Sequence, residues 1–181
     1  NLFWSFFIEN YLKGRDPMPF DILFWNSDST NLPGAAYLFY LNKMYIENSL
    51  RQPGGVVIGD TGLDLSQIQI PVYCLAAQTD HIVLWQAAYR SAQLLNGDVR
   101  FVLTESGHVA GVVNPVSNGK YGHWVNPEIE TTPEQWLDQA RLVSGSWWAD
   151  WQHWLGERSG QLVPSKLLNH DSSLLDNAPG R

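Results

Sequence analysis

Pro71-Val72-Tyr73-Cys74-Leu75-Ala76-Ala77 is an apolar run of strand length, and the polar Gln78-Thr79-Asp80-His81 follows it directly. Ile82–Asn96 (IVLWQAAYRSAQLLN) then reads as a helix, with Leu84, Ala88 and Leu95 toward the core, and Gly97-Asp98 ends it. Val99–Leu103 is a second buried strand, followed by Thr104-Glu105-Ser106-Gly107-His108. Strand, helix and strand joined by short loops are the pattern of a βαβ unit in a parallel sheet. Such a sheet is covered on both faces, which explains strands that are apolar almost throughout rather than alternating. The fold class expected is α/β.

Outward from this unit the pattern loosens. Residues 2–12 (LFWSFFIENYL) read as a mostly buried helix that stops at Gly14. Residues 15–34 hold three Pro and many turn formers, and Ala35–Ser49 reads as an aromatic-faced helix. Val56–Ile58 is short and β-branched, between the turns Pro53-Gly54-Gly55 and Gly59-Asp60-Thr61-Gly62. On the C-terminal side, residues 112–133 read as a long loop. A helical region starts near Pro133 and carries Trp136, Leu137, Ala140 and Leu142. Trp147, Trp151 and Trp154 recur at offsets of four and three, so they can share one helical face. The tail from Gly156 is polar and reads as loose.

Composition narrows the function classes. Of the 181 residues only 16% are charged, below the usual share of about a quarter. Nine Trp, seven Tyr and seven Phe demand either tight packing or an apolar neighbour. A formal charge of −7 with no basic run argues against a nucleic-acid partner. One cysteine permits no internal disulfide and no cysteine-based zinc site. The scattered Asp16, Asp21, Asp28, Asp60 and Asp64 match no metal-loop spacing, so neither metal nor cofactor is expected. No run of eighteen apolar residues is present, so no transmembrane segment is expected. The opening Asn1-Leu2-Phe3-Trp4, without Met or a basic leader, reads as a cut made inside a longer chain.

Asp80 and His108 are the candidate catalytic residues. Each falls just past the C-terminal end of an expected strand, the edge where parallel sheets place their active sites. A histidine serves as a base near neutral pH, and a carboxylate holds its tautomer. Asp followed by His, each after a late strand, is also the order of an α/β-hydrolase once the nucleophile has passed. The plain alternatives are a helix cap for Asp80 and a loop histidine for His108. His81 reads as a supporting residue, and His123 as structural or surface. A nucleophile is absent: there is no Gly-x-Ser-x-Gly or Gly-x-Cys-x-Gly elbow, and Cys74 lies inside an apolar strand where a thiol is packing.

Several strings then become specific. Phe20–Gly34 (FDILFWNSDSTNLPG) resembles the FDxLxWNxDxTNLPG signature of polyhydroxyalkanoate synthases. Asp80-His81-Ile82-Val83 is similar to their EDHIVPW segment, and Ser106–Pro115 (SGHVAGVVNP) to their SGHIAGVINP. Gly122-His123-Trp124 with Asn126, and Gly145–Trp151 (GSWWADW), resemble the SHWTN and GSWWPDW strings of class I members. The resemblance runs from residue 1 to about 157. Departures are Ala35-Ala36, where some relatives carry Pro-Trp, and Leu84 in place of Pro.

The resemblance implies the C-terminal part of an α/β-hydrolase fold with a cap segment at its N-terminal side. Residues 1–60 would be cap, 61–157 the core carrying Asp and His of the triad, and 158–181 the tail. It implies an acyltransferase that polymerises (R)-3-hydroxyacyl-CoA, 3-hydroxybutyryl-CoA above all, into polyhydroxyalkanoate with release of CoA. A cysteine carries the chain as a thioester, His108 deprotonates it, and Asp80 assists His108 or activates the monomer's 3-hydroxyl. Lacking the cysteine, this chain would be inactive alone. The coenzyme A thioester is substrate rather than cofactor. The expected partners are the hydroxyacyl-CoA, the growing polyester, the granule surface and a second subunit in a homodimer, in the cytoplasm. The alternatives are an α/β-hydrolase esterase or depolymerase, and a noncatalytic granule-associated module.

Overall fold

The computed structural model describes residues 4–5, 7–16, 25, 27–130 and 132–163. The chain divides into two compact units, residues 1–49 and 50–181. Most of the Phe20–Gly34 string and the tail beyond residue 163 lie outside the described residues.

In the first unit, a π-type helical segment spans Phe7–Leu12, and Lys13 N donates to Ile8 O at 3.0 Å across its end. Gly14, at φ +62°, stops it as the sequence suggested. Helix α1, Gly34–Tyr40, runs on into a second π-type segment, Leu41–Ile46. Residues 2–12 were expected to be mostly buried. None of Phe7–Leu12 is buried; Phe7 stacks on Tyr11 at 5.0 Å.

The second unit opens with a hairpin. Strands β1 (Val57–Ile58) and β2 (Thr61–Gly62) pair antiparallel around Gly59-Asp60, so half of the expected turn is strand. The main sheet has four strands in chain order: β3 (Val72–Ala77), β4 (Val99–Thr104), β5 (His123–Val125) and β6 (Arg141–Val143). β3 and β4 are parallel neighbours, with Val72 opposite Val99 and Ala77 opposite Thr104. β5 and β6 continue the sheet antiparallel, with Leu103 opposite Trp124 and Trp124 opposite Leu142. The fold is therefore α/β with a mixed sheet.

The crossover helix α2 covers Trp85–Ala92, shorter than the 82–96 expected. Leu84 has extended ψ of 131°, which turns it out to 62% exposure instead of into the core. The buried residues are Trp85, Tyr89 and Ala92, with Ala88 packed beside them as expected. It packs on Phe101 and Leu103 of one sheet face, where Trp136 of helix α3 (Pro133–Gln139) completes the core. Tyr89, Phe101 and Trp136 meet with ring centroids 5.0–5.8 Å apart, edge-on or tilted, the arrangement that aromatic quadrupoles favour. α3 starts with a reciprocal capping box between Thr132 and Gln135. Leu142, assigned to this helix from sequence, lies in β6.

Helix α4, Trp147–Gly156, covers the opposite face. Alternation along the strands puts Tyr73 and Arg100 there, side by side in the parallel register. Both donate to Asp150 of α4: Tyr73 Oη and Arg100 Nε reach its Oδ2 at 2.9 Å each, and the second guanidinium nitrogen binds Oδ1. Trp147 and Trp154 lean on the Tyr73 ring, so their shared helical face is the packed one.

Candidate active site

The parallel ladder extends past the ends of β3 and β4. Gln78 N donates to Thr104 O at 2.9 Å, and Thr79 N to Ser106 O at 3.0 Å. To reach this register Ser106 adopts φ +72°, a region that costs most residues about 1 kcal/mol or more. The two loops therefore leave the same sheet edge side by side, carrying Asp80 and His108.

Their side chains meet. His108 Nδ1 lies 3.3 Å from Asp80 Oδ1, short of the alignment of a hydrogen bond, and it is buried with no other partner. The Asp80 side chain is 13% exposed and that of His108 35%. Asp80 Oδ1 also accepts Ile82 N at 2.8 Å and Val83 N at 3.1 Å. These two backbone donors, and behind them the charges of His108 and His81, hold the Asp80 carboxyl below the usual carboxylate range. The capping bonds and the approach to His108 thus do not compete: one carboxylate oxygen makes both. With Nδ1 turned to the carboxylate, Nε2 is the ring nitrogen left to exchange a proton. The His81 ring is exposed, with its centroid 5.0 Å from that of His108.

His108 sits on a single tight turn. Gly111 N donates to Gly107 O and Val113 N to Val109 O, both at 2.8 Å. Thr104, fully buried at the end of β4, closes this turn by donating its hydroxyl to Gly111 O at 3.0 Å. Glu105 ties it to the next strand, accepting Gly122 N at 2.6 Å. A Cβ on Gly111 would stand 2.5 Å from Glu105 O, so only glycine fits there. Local sequence does not mark Thr104, Glu105 or Gly111 for this role; the four-residue spacing of Gly107 and Gly111 is the one signal it carries.

The remaining candidates fall elsewhere. Cys74 lies three residues below the end of β3, about 10 Å down the strand, partly packed against the core. Burial pushes its thiol pKa up, the opposite of an activated nucleophile. His123 is buried in β5 with Nδ1 2.9 Å from Gly145 O, a structural placement. Ile82, Val83, Leu84, Val109 and Val113 are exposed, an apolar rim on the segments that carry the Asp80–His108 pair. No helix among the described residues is long and apolar enough to cross a membrane.

No family model matches the chain. Curated relatives do. The poly(3-hydroxyalkanoate) polymerase subunit PhaC of Cupriavidus necator is 44% identical over 183 aligned residues, covering all of this chain and 31% of that protein. PhaC of Rhizobium meliloti is 40% identical over 99% of this chain and 29% of its own length. Poly(3-hydroxyalkanoate) polymerase 2 of Ectopseudomonas oleovorans is 41% identical over 99% and 32%. The chain spans about a third of the length of these relatives, and over nearly all of its own residues it is homologous to the poly(3-hydroxyalkanoate) polymerases.

Proposed function

We propose that this chain supplies the Asp and His of a covalent acyltransferase that polymerises (R)-3-hydroxyacyl-CoA, 3-hydroxybutyryl-CoA in the first place, and releases CoA. The observation that carries the reading is the 3.3 Å approach of His108 to Asp80 at the edge of two parallel strands, in a chain homologous throughout to polymerases of this kind. The apolar rim suits an acyl chain and a growing polyester. Lacking the nucleophile, the chain by itself is inactive in this reading. The cysteine comes from the part of the relatives' length that this chain does not span.

The chemistry follows from the pair. His108 Nε2 takes the proton of the cysteine thiol, and the thiolate attacks the thioester carbonyl. A new carbon–sulfur bond forms, the bond to coenzyme A breaks, and the departing thiolate takes the proton back from the imidazolium as free CoA. The 3-hydroxyl of the next monomer then loses its proton to His108, and its oxygen attacks the enzyme thioester. An ester forms and the cysteine thiolate leaves, to be reprotonated by His108. Asp80, ionised throughout at neutral pH, steadies the imidazolium in each half. His81 supports the pair. We place the whole protein in class I of the synthases, in the cytoplasm at the granule surface and as a homodimer. Residues 1–60 would be its cap, and 61–157 part of an α/β-hydrolase core.

The test is the intact mass of the natural protein carrying this chain, followed by CoA release from (R)-3-hydroxybutyryl-CoA. A mass well above 20.5 kDa with polymer formation, abolished by His108→Gln, is the expected result. Thioester hydrolysis without polymer would replace the reading with an esterase or depolymerase. No CoA release at all from the natural protein would overturn it in favour of a noncatalytic module.

A further inference from the structure

The turn that carries His108 ends at Val112 O, which meets no backbone donor among the described residues. In a continuing helix Val112 O would accept the N–H four residues on. The chain instead turns away at Pro115, which has extended ψ of 143°. Two side chains of one neighbouring element replace the lost donor. Trp147 Nε1 donates to Val112 O at 3.1 Å, and Trp148 Nε1 donates to the same oxygen at 3.0 Å. A carbonyl has two lone pairs, and here each is used by an indole. Beside them the Ser146 hydroxyl donates to Asn114 O, while its oxygen accepts Trp148 N at 3.1 Å and caps α4. Asn114, itself buried, donates to Tyr121 O at 3.0 Å. The first turn of α4 thus grips the His108 turn at two carbonyls, and Thr104 holds a third, that of Gly111.

Below this grip α4 is fixed to the sheet. Asp150 lies two residues after Trp148 and is bound by Tyr73 and Arg100. The rigid sheet therefore bears on the His108 turn through α4.

We infer that Trp147 and Trp148 are paired positioning residues for His108, a redundant indole clasp on Val112 O that holds the turn where the imidazole faces Asp80. The inference rests on the acyltransferase reading for its catalytic consequence, but the clasp itself is a property of the fold. Neither tryptophan is among the exposed apolar residues that rim the Asp80–His108 pair. Their removal therefore lowers kcat and leaves KM in place, since a displaced base weakens the chemical step more than binding. Redundancy makes a second signature: either indole alone still satisfies the carbonyl, so the two losses compound.

The experiment uses Trp147→Phe, Trp148→Phe and the double variant in the natural protein. Phenylalanine keeps much of the ring packing and removes the N–H. Amide exchange of residues 108–113 is followed by mass spectrometry, and kcat and KM for CoA release are measured. Each single variant is expected to lose about threefold in kcat. The double loses roughly 30-fold with KM within about twofold, consistent with stranding a buried acceptor. Exchange of 108–113 in the double rises by about tenfold. Gln152→Ala, on an exposed side chain of the same helix, stays within about twofold throughout.

A double variant with wild-type kcat, a loss confined to KM, or unchanged exchange at 108–113 would overturn the inference. If the double variant does not fold, Ser146→Ala and the singles decide. They must show the kcat-only loss and faster exchange, and without both the inference fails. A wild-type protein that releases no CoA refutes the acyltransferase reading, and the exchange data then still decide the clasp.

Discussion

Asp80 Oδ1 binds the backbone N–H groups of Ile82 and Val83 and at the same time stands 3.3 Å from His108 Nδ1. One carboxylate oxygen therefore starts the connection into α2 and faces the imidazole. The two duties separate by substitution. Asp80→Asn keeps an oxygen for the backbone donors but removes the charge that, in the proposed reaction, steadies the imidazolium. CoA release by the natural protein should fall at least about 100-fold, as in other triads that lose this charge. Its melting temperature should stay within about 2 °C of wild type. CoA release close to wild type would mean that Asp80 is chiefly a cap.

The ionisation of Asp80 sets a pH expectation. Its carboxyl sits below the usual carboxylate value because backbone N–H groups and neighbouring histidines favour the charged form. Asp80 is then ionised at every pH above about 4, and the acid limb of CoA release above pH 5 must come from another group. Asp80→Asn should lower the whole pH–rate profile but leave an acid limb above pH 5 in place, because that limb is not the titration of Asp80. Disappearance of that limb in the variant would assign it to Asp80.

Gly111 is enclosed by backbone. A Cβ there would meet Glu105 O at 2.5 Å and Gly107 O at 2.8 Å, neither of which can rotate away. Gly111→Ala should destabilise the protein by about 2 kcal/mol and speed amide exchange across residues 107–113. Urea denaturation unchanged from wild type would show that the turn is looser than its hydrogen bonds imply.

Asp150 is the charge on which two strands and a helix converge. Burial pushes its carboxyl up, but hydrogen bonds from Arg100 and Tyr73 and the Arg100 charge outweigh this, and the net value is low. A carboxyl lowered by folding contributes stability that is fully present above its unfolded value near 4. That stability is lost as pH falls through the folded value. The contribution should therefore be intact at pH 7 and fade below about pH 4. Asp150→Asn should cost about 2 kcal/mol at pH 7, because Arg100 is left half-buried without its counter-charge. The difference from wild type should shrink by pH 3. A difference that grows on acidification would reverse the assignment.

Cys74 offers a test by alkylation. Its thiol is raised by burial, so the thiolate is scarce at neutral pH. Iodoacetamide at pH 7 should label Cys74 in the folded protein at least about tenfold more slowly than in urea, read by peptide mass mapping. Fast labelling of the native thiol would reopen Cys74 as a nucleophile.

Local chemistry alone determined much of this protein. Two apolar runs of strand length, 71–77 and 99–103, with a helical pattern between them, defined the βαβ unit, because burial on both faces leaves no polar alternation. The polar tetrad after the first run and Ser106-Gly107-His108 after the second marked the sheet edge in the same way. The tertiary structure decided what depends on distant partners. β5 and β6 are three residues each, too short to carry a period, and exist because β4 and then β5 offer an open edge. Helix α2 starts at Trp85 rather than Ile82, because Asp80 takes the N–H groups of Ile82 and Val83 into the turn ahead of it. The apolar segment Phe7–Leu12 is not buried, since hydrophobicity states a demand for cover and only packing supplies it. The 3.3 Å between His108 and Asp80, and the indoles on Val112 O, join residues 28 to 36 positions apart in the chain. Contacts of that range are set by sheet register and helix docking, and no local pattern encodes them.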